Sequence, residues 1–146
     1  MIEIKLISAE ETYEIRKEML RKNIPLTEKT EGDFKESTFH LGAFIDGELV
    51  SVATFVENKN SYFKGNQYRL RGMATDRVYQ GKGLGRKLIL KAEEVLKVRK
   101  ADVLWFNARI GALDFYKKLG YEIIGEEFDI QHIGGHFNMY KKFTNA

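Results

Sequence analysis

Three glycines at alternate positions, Gly81-Lys82-Gly83-Leu84-Gly85, stand between a segment patterned as a strand and one patterned as a helix. Gln67 to Thr75 reads as the strand, polar at Arg69 and Arg71. The helix begins at about Gly83 and carries an apolar stripe of Leu84, Leu88, Ala92, Val95 and Leu96 at helical spacing. Beyond it, Val103-Leu104-Trp105-Phe106 is the continuous apolar run of a strand buried on both faces, within Asp102 to Asn107. A strand–helix–strand unit of this kind places its two strands parallel, with a right-handed crossover. The glycine turn therefore commits residues 67–107 to an α/β arrangement.

The remaining elements surround that unit. Ile2 to Ile7 alternates as a strand, and Ser8 with Glu11 three residues on forms a capping box for a helix from Ala9 to Lys22. Ile15, Met19 and Leu20 mark its buried side. Residues 23–37, with Pro25 and Gly32, read as a loop of the length that carries function. Phe39, Leu41, Ala43 and Ile45 alternate on one face of a strand. Asp46-Gly47 signals a two-residue hairpin, because both positions need positive φ. Leu49 to Val56 returns, and Asn58 to Asn66 is a polar loop. After the central unit come a short helix at Ala112 to Leu119, stopped by Gly120, and strands at Tyr121 to Phe128 and Phe137 to Phe143. The order predicts an α/β (α+β) fold with a mixed sheet.

The chain has 146 residues, read as one domain over 1–146, and 43% hydrophobic and 12% aromatic content supplies its core. The absence of cysteine removes disulfides, thiolate metal sites and a cysteine nucleophile. No apolar run approaches the ~20 residues of a membrane helix, and no signal-peptide pattern opens the sequence. The expectation is a cytoplasmic protein. The balance of 24 basic to 21 acidic residues is too even for a nucleic-acid-binding domain, and no aromatic–basic strand pattern points to RNA.

The basic residues do cluster at Lys82, Arg86, Lys87 and Lys91. Alone they describe a solvated helix face. Beside the glycine turn they acquire another use. Glycines bring backbone close to a ligand, and the first amides of a helix lack intrahelical partners and favour an anion. Together they make a phosphate seat. Neither the P-loop pattern nor the Gly-x-Gly-x-x-Gly fingerprint fits, since Arg86 stands where that fingerprint needs its third glycine. A glycine turn without a ligand is the competing reading.

Gln80-Gly81-Lys82-Gly83-Leu84-Gly85 resembles the Gln/Arg-x-x-Gly-x-Gly/Ala motif of the GNAT N-acetyltransferases. Ala112-Leu113-Asp114-Phe115-Tyr116-Lys117-Lys118-Leu119-Gly120-Tyr121 is similar to that family's second signature, and the element order matches from residue 2 to 143. His40-Leu41-Gly42-Ala43, Asn107-Ala108-Arg109 and Ile133-Gly134-Gly135-His136 resemble segments of its small bacterial members. One departure is Arg109, which occupies the position of a family asparagine, with Asn107 nearby.

The resemblance implies a mainly antiparallel sheet of about seven strands flanked by helices, with a splayed parallel pair at the cofactor. It implies acetyl transfer from acetyl-CoA to an amine, and three histidines with no cysteine give no expectation of a metal site. The backbones of Met73, Ala74 and Thr75 would face the pantetheine arm. Gln80, Gly81, Lys82, Gly83, Leu84, Gly85 and Arg86 would hold the pyrophosphate, Lys82, Arg86 or Lys87 the outer phosphate, and Asn107 would contact the cofactor. Tyr116 would protonate the leaving thiolate. Read without the family, Met73 and Tyr116 are core-packing residues. Glu57, Asp129, His132 and His136 are candidate general bases by type only, and Arg69 and Arg71 are candidates to orient an acidic acceptor. The acceptor is a small molecule or peptide, and a homodimer is compatible with the family. The competing class is a non-catalytic acyl-CoA-binding or sensing module that docks onto a protein partner.

Overall fold

The computed structural model describes residues 1–20, 32–131 and 133–143. The strands are β1 (Ile2–Ile7), β2 (Phe39–Ile45), β3 (Glu48–Glu57), β4 (Gln67–Thr75), β5 (Val103–Arg109), β6 (Glu122–Ile130) and β7 (Gly134–Lys142). The helices are α1 (Tyr13–Leu20), α2 (Leu84–Val98) and α3 (Leu113–Lys118), with single 3-10 turns before α1, α2 and α3. The seven strands follow the order β1-β2-β3-β4-β5-β7-β6, antiparallel except for the pair β4 and β5. None of the described helices is long and apolar enough to cross a membrane.

The chain forms two compact units, residues 1–56 with 70–98, and residues 57–69 with 99 onward. In the first, β1 pairs with β2 and β2 with β3. The hairpin turn has positive φ at both Asp46 (48°) and Gly47 (86°), as its sequence requires. The Ser8–Glu11 box closes reciprocally, each backbone amide donating to the other's side chain at 2.9 and 3.2 Å. Helix α2 packs on β2 and β1 through Leu84, Leu88, Ala92 and Leu96, joined by Ile89 and Glu93, which the stripe did not include. Val95 is half-buried. On α1, Ile15 packs with Val52 and Ala74, with Met19 beside them. The expected end of that helix at Lys22 and most of the loop at 23–37 lie outside the described residues, as does the side chain of Leu20. Strand β2 is buried on both faces from Phe39 to Ala43, so it lacks the one-sided exposure expected from its alternation.

One polar cluster lies inside this unit. Arg16 of α1 makes a two-pronged ion pair with Asp33 at 2.7 and 2.9 Å and also donates to the Thr54 hydroxyl on β3. His40 Nδ1 lies 2.8 Å from that hydroxyl, and its Nε2 lies 3.0 Å from the Asp33 carbonyl. The carbonyl can only accept, so Nε2 carries the proton and Nδ1 accepts from Thr54. Burial lowers the His40 pKa below its ordinary value, keeping the ring neutral.

In the second unit, β5 pairs with β7 and β7 with β6. The parallel ladder joins Gln67, Tyr68 and Arg69 of β4 to Val103, Leu104 and Trp105 of β5. One face packs Phe63, Val103 and Trp105 against Ile124 and Tyr140. The other carries Phe106 against Tyr116 and Tyr121. The pairing of β6 with β7 shifts register between Ile124 and Phe128, where Gly125 takes a φ of 81°.

Candidate functional site

Strand β4 carries a glycine at positive φ in its interior, Gly72 at 66°. A side chain there would bring its Cβ to 3.2 Å from Nε of the buried Arg16. Beyond Gly72 the strand is regular. The Ala74 carbonyl accepts from Ser51 Oγ at 3.1 Å and the Asp76 amide donates to the Val50 carbonyl at 2.8 Å, so both turn toward β3. Main-chain direction alternates along a strand, so Met73 and Thr75 turn theirs to the opposite edge. Gln80 Nε2 donates to the Thr75 carbonyl at 3.1 Å, so Gln80 ties the turn back to the strand. The Ala74 side chain is buried in the core cluster, and Met73 is half-buried.

The turn is built in steps. Asp76 accepts from the Val78 amide at 3.1 Å and starts a 3-10 turn at Arg77–Tyr79. Gly81 and Gly83 then take φ of 81° and 77°, a region that L side chains enter only at a cost. Nothing lies within 4 Å of where their Cβ atoms would be, so backbone conformation and not crowding demands glycine. The first helical bond runs from the Lys87 amide to the Gly83 carbonyl at 3.2 Å. Gly83 thus begins the helix without a side chain to cap it, and the amides of Leu84, Gly85 and Arg86 lie ahead of the first intrahelical donor. The Leu84 side chain is buried and anchors the helix, and Gly85 lies in its first turn. Lys82, Arg86 and Lys87 are exposed around this end, and α2 has no acidic residue in its first turn. A separate cavity of about 610 Å³ is lined by Glu14, Glu18, Glu48 and Asp76, with Arg77 as a single cation among them. Four carboxylates against one guanidinium disfavour a polyphosphate there.

In the second unit Tyr116 is half-buried on α3, with ring centroids at 4.3 Å from Phe106 and 5.0 Å from Phe115. Burial pushes its phenol up to about 12, with Arg109 pulling weakly the other way. Helix α3 ends as its sequence predicts. Gly120 takes a φ of 96°, and the amides of Leu119 and Tyr121 both donate to the Tyr116 carbonyl. Asn107 lies on β5 next to Phe106 and hence on the opposite face of the strand from Tyr116. Its Oδ1 accepts from Asn138 Nδ2 at 2.8 Å, and Asn138 Oδ1 accepts from Asn60 at 2.9 Å. On that same face the Arg69 guanidinium lies 4.9 Å from the Trp105 ring centroid.

Of the four residues considered as bases, Asp129 and His136 lie on the paired strands β6 and β7, and Glu57 ends β3. Glu57 and Asp129 are exposed at or near strand ends. His136 is buried on β7, with Nδ1 at 2.7 Å from the Gly134 carbonyl. His132 lies outside the described residues. The Arg16–Asp33–Thr54–His40 cluster and the Asn60–Asn138 pair were not visible in the sequence. Their members come from separate elements, and no local pattern joins them.

The family model described as the acetyltransferase (GNAT) family matches residues 6–121. The chain belongs to the GNAT acetyltransferase family. Among GNAT relatives, this chain is 43% identical over 148 residues to the uncharacterized N-acetyltransferase YitI of Bacillus subtilis, covering 100% of this chain and 99% of that one. Its fold is that of an acyl-CoA N-acyltransferase from Pseudomonas aeruginosa, with a TM-score of 0.78 at 18% identity over 97% of this chain and 99% of that chain. A Bacillus subtilis acetyltransferase solved in complex with CoA matches with a TM-score of 0.70 at 20% identity, over 99% of this chain and 100% of the other. In this GNAT protein the glycine motif, the β4 strand and α3 fall in the elements where the sequence placed them.

Proposed function

We propose that the protein is an N-acetyltransferase that takes its acetyl group from acetyl-CoA and delivers it to an amine by direct attack. The observation that supports this best is the turn from Gly81 to Arg86: two glycines in left-handed backbone, open space beside both, an uncapped helix start and three exposed cations. These residues fit a pyrophosphate. The CoA-bound relative shares this fold.

When bound, acetyl-CoA supplies an acetyl group activated as a thioester. In our reading the amides of Leu84, Gly85 and Arg86 hold the pyrophosphate, helped by the shape that Gly81 and Gly83 give the turn. Lys82, Arg86 and Lys87 meet the outer phosphate. Met73 and Thr75 offer main-chain groups to the pantetheine arm, and an amide among them is the donor to the developing oxyanion. Gln80 holds the turn against the strand. Tyr116 keeps a proton on its phenol oxygen at every working pH and donates it toward the sulfur. Because its pKa of about 12 lies above that of a free thiol, ~8.5, full transfer from the phenol is uphill. The phenol regains a proton before the next turnover, and the proton that the attacking amine sheds balances the one that leaves on the thiol.

The test has two parts. Calorimetry should detect CoA binding, and acetyl-CoA should release free thiol in the presence of some member of a panel of amines. No CoA binding overturns the phosphate seat. Binding without transfer to any amine favours the acyl-CoA-sensing alternative.

A further inference from the structure

A chain of three side-chain amides runs across the second unit, and its direction is fixed at one end by the backbone. The Tyr62 amide donates to Asn60 Oδ1 at 3.0 Å. A backbone N–H can only donate, so this atom of Asn60 is its oxygen, and its NH2 is the group that reaches Asn138 at 2.9 Å. The atom of Asn138 that it meets is therefore the oxygen. That leaves the NH2 of Asn138 for Asn107, at 2.8 Å, and the atom of Asn107 so engaged is its oxygen. Each carboxamide has one accepting end and one donating end. The relay thus consumes the accepting end of Asn107 and leaves its NH2 as the end turned elsewhere. The start of the relay is itself held: the Asn60 amide donates to Gln67 Oε1 at 2.8 Å, and Gln67 Nε2 donates to the Phe63 carbonyl at 2.9 Å. Both anchors lie in the loop between β3 and β4 or at the first residue of β4. They do not depend on any ligand.

The face matters as much as the direction. Asn107 and Asn138 are register partners on β5 and β7, on the face that also carries Trp105 and Arg69. Tyr116 packs on Phe106, on the other face. The attacking amine and the leaving sulfur meet at one carbon but lie in different directions from it, so the acid and the group that meets the acceptor reach it from different sides. With the acid on one face of β5, an oriented donor on the opposite face suits the acceptor. Arg69, a cation on that face, also favours an oxygen-bearing partner over a second amine.

We infer that Asn60 and Asn138 are positioning residues that lock Asn107 with its NH2 presented to the acetyl acceptor, and that the acceptor carries a hydrogen-bond-accepting oxygen beside its amine, as an α-amino amide or a peptide N-terminus does. This rests on the N-acetyltransferase reading. Asn138→Asp keeps the shape of the side chain but cannot donate to Asn107, which must then turn its own NH2 inward and present oxygen to the acceptor. Asn60→Asp, in a loop, keeps its acceptor for the Tyr62 amide but sets an oxygen against the Asn138 oxygen, so Asn138 must turn over and Asn107 with it.

Leucinamide and isopentylamine differ by the carboxamide on the carbon that bears the amine, whose carbonyl is the accepting oxygen. The ratio of their kcat/KM values in each variant, divided by the same ratio in the parent, cancels the difference in amine basicity. The expected result is a preference for leucinamide that falls about tenfold in Asn138→Asp, the worth of one hydrogen bond, and falls in Asn60→Asp as well. CoA affinity by calorimetry should stay within about twofold of the parent, since none of the relay's hydrogen bonds is made to a residue of the glycine turn. An unchanged preference in either folded variant would make the relay a structural ladder only. A loss of CoA affinity with unchanged preference would assign Asn107 to the cofactor. A parent that binds CoA and transfers to no amine would overturn the N-acetyltransferase reading and this inference with it, a result distinct from turnover with an unmoved preference.

Discussion

Tyr116 joins a sequence signature to a measurable step. Tyr116→Phe removes one hydroxyl from a ring that stays packed on Phe106 and Phe115. If that hydroxyl protonates the thiolate, kcat should fall by ~10²–10⁴ while CoA affinity holds. Its raised pKa makes a second check. With the phenol at about 12, kcat should show no alkaline fall from Tyr116 at pH 9 to about 11, where an ordinary tyrosine would titrate. A fall near pH 10 that disappears in Tyr116→Phe would show a phenol less shielded than its packing implies. His40 gives a prediction of the opposite sign. Its folded pKa lies below its unfolded value near 6.5, so the unfolded chain binds more protons in acid. Its contribution is present above pH 6.5 and is lost as pH falls through the folded value. Urea titrations from pH 7 down to about 5 should find less acid sensitivity in His40→Gln than in the parent. Such residue-scale facts were half legible. The spacing around Tyr116 marked it through a family signature, whereas the tautomer of His40 depends on Thr54 and Asp33, neither of which is near it in sequence.

At the scale of the element, the glycine turn separates conformation from crowding. Gly83→Val and Gly83→Asn both place a Cβ in open space, but asparagine tolerates positive φ far better than a β-branched residue. Gly83→Val should weaken CoA binding markedly and lower the melting temperature by a few degrees, with Gly83→Asn between it and the parent in both. Equal weakening by both would point to contact with the ligand and away from backbone strain. The exposed Lys82, Arg86 and Lys87 predict tighter binding of CoA than of the form lacking the outer phosphate, by a margin that shrinks as salt rises. Equal affinities would return the cluster to a solvated helix face. Elements were the most legible scale. Strands β1 and β4, the hairpin at Asp46-Gly47, the start of α2 and the Gly120 stop follow from local chemistry, and each is observed where its residues placed it. Strand β6 was less legible, because its register shift at Gly125 depends on its pairing with β7.

At the scale of the whole molecule, the Arg16–Asp33 pair has side chains almost wholly out of water, 0% and 1% exposed. Removing one partner leaves a buried charge, so Arg16→Met alone should cost about 3–5 kcal/mol in denaturant unfolding. Arg16→Met combined with Asp33→Leu should recover much of that loss, because two buried charges disappear together. A double variant as unstable as the single one would show that the cluster holds the fold by geometry more than by charge balance. By itself the sequence determined the kinds of element, their order, the parallel unit at 67–107 and the glycine turn, because backbone freedom, side-chain period and helix-end chemistry act within a few residues. Only the tertiary structure decided which polar side chains meet: Arg16 with Asp33, His40 with Thr54, and Asn60 through Asn138 to Asn107. Those contacts join residues far apart in the chain, and a hydrogen bond depends on ångström-scale placement that no local pattern encodes.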